Sequence, residues 1–219
     1  MAVPTADRLL RVDLSAGSTE SVPIPDRWLA RYVGGKGLGA RYLYEELDPG
    51  ADPLGPENVL CFMLGPVSGL TPGESRYAAV TKSPLTGGFL DSYAGGTFPD
   101  ALAGALASHM GLLVTGAAPE PVRIFLEDGE ATVEPAQRWR DDVRATAAAF
   151  PDASVACIGP AGENCVAYAT IASDAGDHHA GRGGAGAVMG AKRLKAVVAR
   201  GEPASGLEEL REEYAGRYR

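Results

Sequence analysis

The sequence predicts an α+β fold, and three features carry that prediction. Its 29 glycines and 16 prolines, about a fifth of the chain, interrupt it too often for long helices and favour turns and sheet. Short apolar runs bounded by glycine and proline recur from one end to the other, as strands joined by tight loops do. Segments with helical spacing are few and lie between those runs, with no repeat at a fixed period.

Taken in order, "RLLRVDL" alternates, turns at "SAGS" and returns as "TESVPI", a hairpin pattern. Asp26 then opens an amphipathic helix, "DRWLARYV", stopped by Gly34 and Gly35, and "LGARYLYEEL" gives a second helix ended by Asp48-Pro49-Gly50. "NVLCFML", "RYAAVTK" and "GGFLDSYAGG" read as strands. "FPDALAGALASHMG" has helical spacing and "LLVTG" is strand-like. "VRIFLEDGEATVEP" is a hairpin turning at Asp128-Gly129, the dipeptide that tolerates positive φ at both central positions. "RWRDDVRATAAAF" is a helix, "SVACIG" and "CVAYATI" are strands, and a glycine-rich loop leads into a short helix before "KAVVARG" closes the sheet. In the tail, Ser205 and Glu208 stand in capping-box register, and Leu207, Leu210 and Tyr214 share one helical face. The expected division is a main domain over residues 1–203 and an amphipathic docking helix over 204–219.

Composition narrows the function. A net charge of −8, with no cluster of Lys and Arg, argues against nucleic acid and anionic membranes, both of which require basic patches. No apolar stretch is long enough to span a bilayer, and the first residues show no secretory h-region, so a cytoplasmic protein is expected. Cys61, Cys157 and Cys165 all lie among strand-forming residues, where a small buried thiol is the ordinary reading. No C-x-x-C pair occurs, so the chain alone holds neither a zinc site nor an iron–sulfur cluster. A Cys157–Cys165 disulfide is not expected in a cytosolic protein.

Ala180 to Gly190, "AGRGGAGAVMG", places five glycines around one arginine. Bare backbone brings N–H groups close to an anion, and a guanidinium adds bidentate contacts. Gly35–Ala40 and Gly181–Gly186 match relaxed dinucleotide patterns, but a helix-like segment precedes the first and a polar one the second, so neither has the strand-then-helix setting of that fingerprint. Ala191 stands between Gly190 and Lys192, which excludes a phosphate loop of the G-K-[ST] kind. Three loops remain: "GPVSGLTPGESRYAAVTKSPLTGG" with Arg76, "LDSYAGGTFPD", and the stretch around Arg182. They read either as anion-binding bends or as turns of a glycine-rich sheet protein with solvated arginines. His178 and His179, with Asp174 and Asp177, form a weak metal pattern because adjacent histidines on a loop point apart. His109, read on a helix face, is a structural histidine.

The order of the blocks "GGKGLGARYLYEEL", "PLGPENVL", "GPVSGLTPGESRYAAVTKSPLTGGFLDSYAGG", "IGPAGENCVAYATI" and "AGRGGAGAVMGAKRLKAVVARG" resembles the N-terminal domain of aldehyde ferredoxin oxidoreductases, from about Leu9 to about Gly201. That resemblance implies two β-sheets with surrounding helices, forming a saddle under tungsten or molybdenum carried by two pyranopterins. By the same resemblance the cofactor contacts fall on Arg76, on Ser92, Tyr93, Ala94 and Gly95, and on Arg182, Gly183, Ala185 and Gly186. A magnesium ion between the pterin phosphates would take the main-chain carbonyls of Tyr93 and Gly183. Two departures stand out: the family usually has Asn where Tyr93 stands, and its chains continue through two helical domains that supply the [4Fe-4S] cluster cysteines and the substrate channel. The resemblance therefore implies a pterin-binding subunit of a split oxidoreductase that needs a partner chain, with no catalytic side chain of its own. The alternative is a non-catalytic scaffold or cofactor carrier with a degenerate pterin site, self-associating through the saddle.

Overall fold

A computed structural model describes residues 6–69, 75–202, 212, 213 and 216. Twelve strands form two mixed six-stranded sheets among the described residues. The first contains β1 (Arg8–Asp13), β2 (Ser18–Pro23), β3 (Leu60–Met63), β4 (Tyr77–Lys82), β5 (Phe89–Ala94) and β6 (His109–Thr115), in the order β2-β1-β6-β3-β4-β5. The second contains β7 (Val122–Glu127), β8 (Glu130–Pro135), β9 (Ser154–Cys157), β10 (Ile171–Ser173), β11 (His178–Ala180) and β12 (Leu194–Arg200), in the order β11-β10-β9-β12-β7-β8. Only β1 with β6 and β12 with β7 run parallel.

Alternation along the strands assigns each residue to a layer. Leu10, Phe62, Tyr77, Ala79, Leu112 and Val114 face inward, where α3 (Phe98–Leu106) and α6 (Ala185–Ala191) fill the space against Ile124, Ala156 and Val197 of the second sheet. Leu9, Cys61, Ala78, Val80 and Leu113 face outward under α1 (Asp26–Tyr32) and α2 (Gly35–Glu46). Val155, Cys157, Ala196 and Val198 lie under α4 (Val143–Ala148), whose first turn is capped by Asp142 accepting from the Ala145 N–H at 2.8 Å. The expected hairpins form, and Asp128 (φ 52°) and Gly129 (φ 80°) make the second turn.

Five sequence expectations are corrected by tertiary contacts. The Gly35–Ala40 segment is no loop but the first turns of α2, where Gly39 lets the helix approach Val80 closely. His109 opens β6 rather than riding a helix, because Ala107 (φ 53°) ends α3 first. Its structural role stands: Nδ1 donates to the Leu106 carbonyl at 2.7 Å and Nε2 meets the Ser21 hydroxyl at 2.7 Å. "CVAYATI" is mostly turn following α5 (Pro160–Glu163), since Cys165 adopts φ 53° and only its last residue enters β10. Cys165 is half-buried, unlike Cys61 and Cys157, and all three thiols are free. Of the polar approach, "HHA" forms β11, held as a strand by pairing with β10. "KAVVARG" then runs through the middle of its sheet, between β9 and β7, instead of closing an edge. The 204–219 helix expected from the sequence lies, but for three residues, outside the described ones.

Candidate functional site

β5 is an edge strand of the first sheet, and its alternation sends consecutive side chains to opposite faces. Ser92 turns inward and is buried, while Tyr93, opposite Ala78 in register, turns outward and stays 39% exposed. On that outer face lies a cavity of about 460 Å³ lined by Val33, Gly34, Lys36, Val67, Arg76 and Tyr93, among others. The N-terminus of α2 opens onto it through Gly34 and Gly35. Twelve aligned peptide units end there with their positive pole toward the cavity. Lys36 and Arg76 add two cations, and Asp91 pairs with Lys36 at 3.6 Å. Burial, and then the neighbouring Asp91 carboxylate, push the Tyr93 phenol above its ordinary pKa, so the ring is neutral at physiological pH.

The Arg182 loop reaches β5 from the second sheet. The Arg182 N–H donates to the Ser92 hydroxyl at 3.1 Å, and the Ser83 hydroxyl donates to the Gly183 carbonyl at 2.7 Å. Both residues at the bend need glycine: Gly183 (φ 66°) lies on Leu90, and Gly184 (φ 87°) lies on the Ala167 carbonyl. Gly186 is as tight against the Thr170 carbonyl, and its N–H donates to Ala169 at 3.0 Å. The bare backbone therefore serves contact between chain segments first, a purpose that the sequence reading did not give it. Although β11 precedes this loop and α6 follows it, β11 and β12 are not neighbours, so no dinucleotide-binding β-α-β unit is formed.

The residues expected to contact a cofactor divide by placement. Arg76 and Tyr93 line one cavity; Ser92 and Arg182 are joined by a hydrogen bond; Arg182 is exposed and Gly183 half-buried. Ala94, Gly95, Ala185 and Gly186 are buried and shape the bends from behind. Among the described residues, no hydrogen bond engages the N–H groups of Gly95, Gly96, Gly183 or Gly184. Four unengaged amides, two arginines and a helix N-terminus fit a ligand bearing anionic ester groups. Lys36 and the α2 N-terminus are not among the residues expected from the sequence, where Gly34-Gly35 reads as a helix stop; the signal is "GGKG" running directly into helical spacing.

The histidine cluster resolves differently. His179 Nδ1 meets the Thr170 hydroxyl at 2.9 Å and Nε2 donates to the Gly176 carbonyl at 2.9 Å, so both ring nitrogens are engaged. Asp174 is occupied by Thr97. No group of three or more His, Cys, Asp or Glu gathers to hold a metal among the described residues.

Residues 9–201 match the family described as aldehyde ferredoxin oxidoreductase, N-terminal domain. The chain belongs to that family. The domain is 38% identical over 202 residues to a tungsten-containing aldehyde ferredoxin oxidoreductase of Pyrococcus horikoshii, and 40% identical to the one of Thermococcus kodakarensis. Each match covers 89% of this chain and 33% of the relative. A solved structure described as the active site complex BamBC of benzoyl coenzyme A reductase with 1,5-dienoyl-CoA superposes with a TM-score of 0.85 at 36% identity, over 92% of this chain and 32% of the other. The domain thus spans about a third of the length of these relatives. Among the described residues, no helix is long and apolar enough to cross a membrane.

Proposed function

We propose that this domain cradles a pterin-borne tungsten or molybdenum centre in the cytoplasm, as a subunit of a split aldehyde:ferredoxin-type oxidoreductase. The observation that carries the reading is the meeting of the Ser92–Gly96 and Arg182–Gly184 bends beside a cavity holding Arg76, Lys36 and the N-terminus of α2. Arg76, Lys36 and Arg182 would hold the pterin phosphates, and the unengaged amides of both bends would complete that contact. The carbonyls of Tyr93 and Gly183 would face a magnesium ion; Ser83 occupies only one of the two lone pairs of Gly183. Once bound, the metal centre supplies two-electron oxidation of an aldehyde or its reverse, and the protein positions it. In this reading a partner chain would supply the helical domains, the [4Fe-4S] cluster and the substrate channel.

A specific residue favours a second reading, a scaffold or cofactor carrier with a degenerate pterin site. The Tyr93 ring stands in the cavity beside Arg76, where the smaller Asn usual in the family would leave room. One experiment separates the two. Protein made in a host that synthesises the cofactor is assayed for tungsten and molybdenum by mass spectrometry and for oxidised pterin by fluorescence. The first reading expects both in the wild type and a clear loss in an Arg76→Ala, Arg182→Ala double variant. Absence of both from the wild type, with uptake appearing in Tyr93→Asn, defeats it and supports the degenerate site.

A further inference from the structure

The loop Tyr93–Gly96 is tied down at both ends. At one end Ser92 accepts from the Arg182 N–H. At the other, Asp174 accepts from the Thr97 N–H at 2.9 Å and from the Thr97 hydroxyl at 2.6 Å. Asp174 lies between two strands of the second sheet, in the 3₁₀ turn Asp174–Gly176 that joins β10 to β11, the strand that leads to Arg182. Its carboxylate therefore fastens the loop of one sheet to the segment that carries the arginine of the other.

Three further features show the molecule shaped around this contact. Asp174 (φ 50°) and Ala175 (φ 54°) are consecutive non-glycine residues in the left-handed region, a strained conformation that persists only where surroundings enforce it. Thr97 stands at the N-cap of α3, yet its hydroxyl makes no cap bond to that helix and turns to Asp174 instead. Gly96 lies against the Asp174 carboxylate and the His178 ring, so that any side chain there would displace the carboxylate.

We propose that Asp174 is a positioning residue for the candidate cofactor loop: its carboxylate, aimed by a left-handed turn, latches Thr97 and thereby fixes Tyr93–Gly96 relative to Arg182. The role in cofactor binding rests on the function proposed above; the latch itself does not. Native-state hydrogen exchange on cofactor-free protein tests the latch directly. Asp174→Gly keeps the left-handed turn without strain and removes the carboxylate, Asp174→Asn keeps one acceptor, and Thr97→Val removes the hydroxyl alone. Loss of a hydrogen bond to a charged acceptor is expected to speed exchange at the Thr97 amide by about tenfold or more in Asp174→Gly. Asp174→Asn and Thr97→Val should lie between it and the wild type, with β12 amides unchanged in all. Pterin retained by the same variants from a cofactor-making host should fall in the same order. Exchange equal to wild type in Asp174→Gly overturns the latch, and faster exchange with undiminished pterin overturns its positioning role. Wild-type protein that takes up no pterin defeats the function proposed above, while the exchange result still decides the latch.

Discussion

Lys192 is 1% exposed, and its ammonium donates to the Gly116 carbonyl at 2.8 Å and the Pro56 carbonyl at 3.2 Å. Burial lowers its pKa from 10.5 to about 8, against the opposing pull of Glu57 and Asp13. Below pH 8 the folded and unfolded chains both carry the proton, so folding bears the full desolvation cost. As pH rises from about 8 toward 10.5, the unfolded chain keeps a proton that the folded one has lost, and stability increases. Urea midpoints compared between wild type and Lys192→Met should show an upward trend over this window that only the wild type displays; parallel curves would refute it. Lys195, three residues on, is buried with Glu163 as its partner, and Glu163 also accepts from the Arg140 N–H through both oxygens at 3.0 Å. Neither lysine announces its burial in "AKRLKAVVARG", because a partner's position is not written in the neighbouring residues.

At the scale of elements, α6 shows how much close packing glycine permits here. Its residues "AGAVMGA" are buried from Ala185 to Gly190, and the helix meets α5 through backbone on both sides. A Cβ on Gly190 would overlap the Gly162 carbonyl, and one on Gly162 would come within 2.9 Å of the Gly186 carbonyl. Gly190→Ala is therefore expected to force α5 and α6 apart at a cost of about 1–3 kcal/mol, read as a lowered denaturant midpoint. Gly35→Ala meets open space and only a left-handed φ of 51°, so its cost should stay at about 1 kcal/mol, the lower end of the left-handed penalty. Equal losses from the two variants would contradict this account. The strand runs were legible because apolar alternation survives tertiary context. "CVAYATI" was misread because it has strand composition, yet Cys165 takes the left-handed conformation and its segment must clear α6.

For the whole molecule, the two sheets bury their facing sides around α3 and α6, and β5 and the Arg182 loop meet where the sheets adjoin. That junction gives the candidate cofactor a floor, in a domain that spans about a third of its relatives' length. If the proposed split-subunit role holds, the purified chain is expected to oxidise no aldehyde with a ferredoxin or dye acceptor, and activity is expected only once a partner chain is added. Turnover by the chain alone would overturn the split-subunit reading. The bends with Arg76, Ser92, Tyr93 and Arg182 were visible in the sequence as glycine-rich blocks, and the order of those blocks pointed to the family. Lys36 and Asp174 were not, since one works from a helix start read as a helix stop and the other from a polar turn.

By itself the sequence determined the α+β class, most of the strands, both hairpins and the family, because local alternation, turn chemistry and block order survive without coordinates. Only the tertiary structure decided what the glycines touch, which loops meet, and that Asp174 holds Thr97. Those facts depend on contacts between residues 77, 90 and 100 positions apart, and no local pattern records which distant backbone will arrive.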